Sequence, residues 1–104
     1  MNVPDFCAVL VSQPDPSGTR TMHHVVLLPA KWNRRFEAVG GSGYSCESVN
    51  FTYRANDVGS MQTALQQGYS TASTDCGVPA SASSADWLLA GRTPDTAAID
   101  DFAR

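Results

Sequence analysis

The residues best placed to do chemistry form a short glycine-rich run, Gly40-Gly41-Ser42-Gly43, which halts an apolar stretch. Glycines permit positive φ and leave backbone amides unshielded, which is what an anion or oxyanion pocket asks of a loop. A plain tight turn is the other reading, and the glycines alone do not separate the two. Ser42 invites a nucleophile reading, but a nucleophile elbow has the form G-x-S-x-G between strand and helix. Tyr44 stands in the last glycine's place and no helix follows at once, so Ser42 is set aside, and Ser45 beside Cys46 with it. His23 and His24 are neighbours whose side chains point to opposite faces of a strand, one outward and one partly packed, rather than serving as a base. Asp75 ends a strand-like run, where its carboxylate caps the next turn or orients a partner, the cap being favoured. No metal-ligand spacing occurs, and no nucleophile, base and acid assemble from this chain.

The elements that must position these residues can be read from pattern. Phe6 to Val11 is a short apolar, β-branched run and reads as a strand. Gln-Pro-Asp-Pro-Ser-Gly follows as a turn, and Thr19 to Leu28 resumes as a second strand, so the lead-in is an antiparallel hairpin. Pro29 to Arg35 is a connector in which Trp32 covers the sheet edge. Phe36 to Val39 is a third strand, ended by the glycines. Tyr44 to Gly59 lacks periodicity and reads as a long surface loop, a kind of segment that is often functional. Ser60 caps a helix with Met61, Ala64 and Leu65 inward and Gly68 at C′. Tyr69 to Thr74 is the next strand, parallel to the third because a helix crosses between them. Asp75-Cys76-Gly77-Val78-Pro79 then breaks off at the same sheet end as the glycine loop. Beyond the Ala/Ser-rich tract Pro79 to Ala85, the run Trp87-Leu88-Leu89 docks against something apolar. Thr93 as cap, Pro94 at N1 and Asp95 in the first turn start a last helix whose inner face is Ile99 and Phe102.

Composition narrows the partners. With 104 residues and a net charge of -3, the chain is one small, mildly acidic domain. Its densest basic spot, Lys31, Arg34 and Arg35, has acidic residues nearby and reads as a solvated loop, so no nucleic-acid partner is expected. No apolar run approaches the roughly twenty residues of a membrane helix, and no membrane partner is expected. Met1 leads into Asn-Val-Pro-Asp without the regions of a secretory signal; either the chain is cytosolic or its natural start lies elsewhere. Three widely spaced cysteines, Cys7, Cys46 and Cys76, and the sequon Asn50-Phe51-Thr52 lean toward an exported, disulfide-bonded protein with glycosylation at Asn50. Free thiols and a chance sequon are the other reading.

Several motifs together resemble the N-terminal part of the tannase and feruloyl esterase family of α/β-hydrolases. They are Pro4-Asp5-Phe6-Cys7, Leu28-Pro29-Ala30-Lys31-Trp32-Asn33-Arg34-Arg35-Phe36, Gly40-Gly41-Ser42-Gly43-Tyr44, Ala64-Leu65 to Gly68-Tyr69, Ala72-Ser73-Thr74-Asp75 and Ile99-Asp100-Asp101-Phe102-Ala103-Arg104. They occur in the family's order and span nearly the whole chain. The resemblance implies a serine that attacks esters of aromatic acids such as gallate or ferulate, with an aspartate and a histidine far downstream. It also implies export and a large lid domain that often binds calcium; no cofactor is expected in this chain.

Under that resemblance, residues 1 to 104 are a partial α/β-hydrolase domain: an antiparallel hairpin leading into parallel strands with a crossover helix. The nucleophile, acid and base are expected beyond Arg104, so no catalytic residue is assigned here. Gly40, Gly41, Ser42 and Gly43 are the oxyanion-loop candidates, because this fold draws one oxyanion amide from the loop after its third strand. The family usually has threonine and then glycine-histidine after the aspartate, where this chain has Cys76, Gly77 and Val78. With both loops opening at one sheet end, Cys46 and Cys76 become the candidate disulfide. The expected activity is carboxylic ester hydrolysis through a serine acyl-enzyme, with an aromatic ester as substrate of the parent. The rival is a small non-enzymatic α/β binding or interaction module.

Overall fold

The computed structural model describes residues 3–41, 46, 61–78 and 84–103. Its centre is a four-stranded sheet in the order β1-β2-β4-β3, with β1 at Phe6–Pro14, β2 at Thr21–Pro29, β3 at Phe36–Ala38 and β4 at Ser70–Thr74. The hairpin is antiparallel, as its Pro/Gly turn predicts, and β1 extends three residues past the expected Val11 because pairing continues to Pro14 opposite Thr21. β3 and β4 run parallel, Phe36 opposite Ser70 and Ala38 opposite Ala72. Between them lies α1, Met61–Gln66. β2 also pairs directly with β4, antiparallel, with His24 opposite Thr74 and Leu27 opposite Thr71. The architecture is therefore mixed α/β, with an antiparallel lead-in and a parallel pair joined through a helix.

The period of two along β2 decides where the core sits. Val25 and Leu27 face α1 and, with Met61 and Leu65, form the core; Val25, Leu27 and Leu65 are wholly buried. Burying each such side chain stabilises by about 1.5–3 kcal/mol. Phe6, Leu10 and Val39 pack around that cluster. The opposite sheet face carries Val9, Val11 and Leu28, with exposures of 41, 45 and 43%.

Helix α1 ends as its sequence predicts. Gly68 has φ +83°, Tyr69 N donates to Ala64 O (2.9 Å) and Gly68 N donates to Leu65 O (3.0 Å), the bond pair of a Schellman cap. The connector closes on that cap. Asn33 N donates to Gly68 O (2.9 Å), Asn33 Nδ2 donates to Gln67 O (2.8 Å), and Asn33 Oδ1 accepts from Arg35 N (2.9 Å). Arg35 O then accepts from Ser70 N (3.0 Å), which sets β3 beside β4. Trp32 does not shield the edge: it is 56% exposed, and its Nε1 donates to Arg35 O (2.8 Å). The Trp-Asn-x-x-Phe motif is thus a clasp that sets the parallel pair. Beside it the Tyr69 hydroxyl accepts from Arg35 Nη1, which holds the guanidinium above its usual pKa.

Helix α2 spans Thr96–Ala103, and here the sequence reading needs correction. Asp95, not Thr93, is the cap: its Oδ1 accepts from Ala98 N (3.1 Å). Asp95 is held in place by Arg20, which donates to its Oδ2, and by its own amide, which donates to Trp87 O. Pro94 pairs with Leu88 in an isolated bridge instead of opening the helix. The inner face lies one residue, or about 100°, from the expected one. That face is Ala98 and Asp101, both buried, while Ile99 and Phe102 are exposed. Leu88 and Leu89 are exposed as well, and of the Trp87 tract only the tryptophan finds an aromatic partner, the edge of Phe102 at 4.9 Å between ring centroids.

Candidate functional site

Parallel strands deliver their carboxyl ends to one end of the sheet, and an antiparallel neighbour brings its amino end to the same place. Three stretches meet there: Val39 to Gly41 after β3, Asp75 to Val78 after β4, and His23 at the start of β2. β3 and β4 stay joined to that end, because Val39 N donates to Ala72 O (3.0 Å) and Ser73 Oγ donates to Val39 O (2.9 Å).

Asp75 organises the middle stretch. Its Oδ1 accepts from His23 N (2.8 Å) and Gly77 N (2.9 Å), and its Oδ2 lies 2.7 Å from His23 Nδ1. Both roles weighed for Asp75 are therefore present, the turn cap and the oriented partner. Cys76 and Gly77 both have positive φ, 54° and 70°, and Val78 N donates to Asp75 O (3.0 Å), the pattern of a type I′ turn. A left-handed residue with a side chain costs about 1–2 kcal/mol, so Cys76 has to be held. It is held by the Asp75 cap, by Thr74 Oγ1 accepting from its amide (3.1 Å), and by a disulfide to Cys46. The bridge spans a sequence separation of 30, with Cα atoms 6.0 Å apart, and tethers the chain beyond the glycine run to the β4 turn. Cys7 is an exposed free thiol.

Gly40 and Gly41 are exposed at this end. Gly40 does not use positive φ, and a Cβ built on it meets nothing within 4 Å among the described residues. Neither backbone conformation nor packing among the described residues demands glycine there, so the positive φ allowed for from sequence is absent at Gly40. Ser42, Gly43, Ser45, Asn50 and Ser60 lie outside the described residues. His23 is oriented by a carboxylate, a contact that sequence reading missed because it depends on the β2–β4 register. Among the described residues no group of three or more His, Cys, Asp or Glu side chains could hold a metal ion, and no helix is long and apolar enough to cross a membrane.

Comparison with known proteins gives this geometry a context. The family described as Tannase and feruloyl esterase matches residues 7–104. A protein of Arthroderma benhamiae described as a probable feruloyl esterase is 43% identical over 63 residues, which cover 60% of this chain and 10% of that protein. The chain thus matches about a tenth of its curated relative's length. No solved structure matches. With the family matched from the first strand through the last helix, the chain belongs to the tannase and feruloyl esterase family.

Proposed function

We propose that these residues form the opening part of an α/β-hydrolase sheet in a carboxylic ester hydrolase acting on aromatic-acid esters, and that Gly40 to Gly43 supply its oxyanion loop. The observation that carries the reading is the bare, unobstructed Gly40 at the carboxyl end of β3, in a chain of this family. A glycine that its own fold does not require is suited to leave room for a reactant. The serine, acid and base belong to parts of the parent protein outside these residues, consistent with a match to only a tenth of the relative.

In the parent reaction the serine oxygen attacks the ester carbonyl carbon while its proton passes to the histidine. The carbonyl π electrons move onto oxygen, and a backbone N–H of the glycine loop donates to that oxyanion. Such a donor contributes about 3 kcal/mol in the transition state. Collapse expels the alcohol, which takes the proton from histidine, and leaves an acyl-serine; water then repeats the sequence to release the acid. The Asp75 cap and the Cys46–Cys76 bridge serve this chemistry by fixing the loop end rather than by touching substrate. A disulfide at this position supports an exported protein.

Hydrolysis of methyl ferulate and methyl gallate tests the division of labour. The 104-residue chain alone is expected to leave both at the buffer rate, and the longer parent protein to hydrolyse at least one. Turnover by the rigorously purified short chain contradicts the assignment of the triad elsewhere. An inactive parent contradicts the esterase reading.

A further inference from the structure

The two edges of the sheet differ in length. β3 offers 3 residues, whereas β1 offers 9, Phe6–Pro14, and no strand among the described residues lies beyond it. The hairpin register decides which of its backbone groups are committed. Ala30 N donates to Asp5 O (2.8 Å) at one end and Asp15 N donates to Arg20 O (2.9 Å) at the other, with an unbroken ladder between them. Antiparallel pairs alternate between bonded and unbonded, so Cys7, Val9, Val11 and Gln13 turn their amides and carbonyls toward β2. Phe6, Ala8, Leu10 and Ser12 turn theirs outward. Edge strands are ordinarily blunted by charge, a bulge or proline. β1 carries no charged residue, no bulge and no proline before its last position.

Such a row of outward groups accepts another strand, and the pattern of β1 selects which. An antiparallel copy of β1, with a two-fold axis at Val9, sets every outward group against another. Phe6 meets Ser12 of the second copy, and Ala8 meets its Leu10. Moving the axis to Leu10 sets Phe6 opposite Pro14, which has no N–H to give. The side chains agree with the Val9 register. Val9, 41% exposed, meets its own copy and Cys7 meets Val11, so the apolar row of the open face continues across the axis. Charge agrees as well. The chain carries a net charge of -3, yet Asp5 faces Gln13 of the copy and Asp15 lies beyond the paired span, so no acid opposes an acid. The strand is thus complementary to itself, and a two-fold contact closes at two copies.

We propose that two copies of this chain pair antiparallel through β1 about a two-fold axis at Val9, joining their sheets into one. The surface lies at the opposite sheet edge from β3 and its glycine loop, and it does not depend on the esterase reading. Pairing of one strand buries an area in the range of transient contacts, so the dimer is expected at about 1 mM chain and not at about 10 μM. Sedimentation and amide hydrogen exchange of the unmodified chain at those two concentrations test it. The mass should rise from one chain to two and no further. The Ala8 and Leu10 amides should exchange about tenfold more slowly at the higher concentration, with Ala38 on the β3 edge unchanged. Val9→Lys sets like charges against each other across the axis and should weaken the dimer about fivefold or more. Ala38→Lys, which adds the same charge on the other edge, should leave it within about twofold. A monomer at the higher concentration, a mass rise without slower exchange at Ala8 and Leu10, growth beyond two copies, or equal effects of the two variants would each overturn the proposal. The exchange comparison needs no variant and stands even if Val9→Lys does not fold.

Discussion

On one face of the sheet Val25 and Leu27 are sealed against Met61 and Leu65; on the other, Val9, Val11 and Leu28 keep roughly two-fifths of their surface, and Phe36 keeps 59%. The strands are the same, and only the direction of the side chain differs. Parallel α/β sheets are ordinarily covered on both faces, and exposed apolar patches of this kind mark contacts still to be made. The first face is therefore sealed at its β2 and β4 centre by α1, while its β1 and β3 margins, such as Ala8 and Glu37, stay exposed; the second is met by α2 only where β2 begins. In our reading, further chain of the parent enzyme lies over the remainder.

One substitution on each face tests the contrast. Leu65→Ala should cost about 2–5 kcal/mol, since it opens a cavity in the sealed layer. Val9→Thr should change stability by no more than about 0.5 kcal/mol, the range for surface positions. Urea melts of the two variants check both values; similar losses would mean that the open face is packed in solution. Gly68→Ala comes next, at about 1–2 kcal/mol, because it puts a side chain at φ +83° with its Cβ 3.1 Å from Lys31 O. That change loosens the cap holding α1 over the sealed face, and a thermal melt reads it.

The smallest expected effect lies at the hairpin turn, where α2 begins to cover the open face. The Ser17 hydroxyl donates to Asp15, and this bond, helped by backbone amides, holds the Asp15 carboxyl below its usual pKa despite the opposing effect of burial. A depressed folded-state value contributes stability above the unfolded pKa, and that contribution is lost as pH falls through the folded one. The window therefore lies below about pH 4. Ser17→Ala should raise the Asp15 midpoint, as followed by NMR of its carboxyl carbon; an unchanged midpoint would remove the hydroxyl as the main cause.

Much of this layout was legible from residue patterns. The Pro/Gly turn marked the hairpin, the spacing of Met61, Ala64 and Leu65 marked the helix face, and Gly68 marked its end. Those are local signals with short-range causes. The α2 face differs because Asp95, which reads as a first-turn acid, is itself the cap, and its partner Arg20 lies far off in sequence. His23 meeting Asp75 was hidden for a related reason: it follows from β2 pairing with β4, a register that neither strand encodes alone.

The esterase account depends most directly on the room left over Gly40. Among the described residues nothing stands within 4 Å of a Cβ at Gly40 and no unusual φ is needed there, so Gly40→Ala, made in the longer parent protein, adds one methyl group that this part of the fold accommodates. The melting temperature should stay within about one degree, because this surface change costs almost nothing. If a tetrahedral oxyanion approaches this loop, kcat for methyl ferulate should fall about tenfold or more, a partial loss of what an oxyanion donor provides. Unchanged kcat with an unchanged melting temperature would contradict the account and leave the glycine loop as no more than a turn.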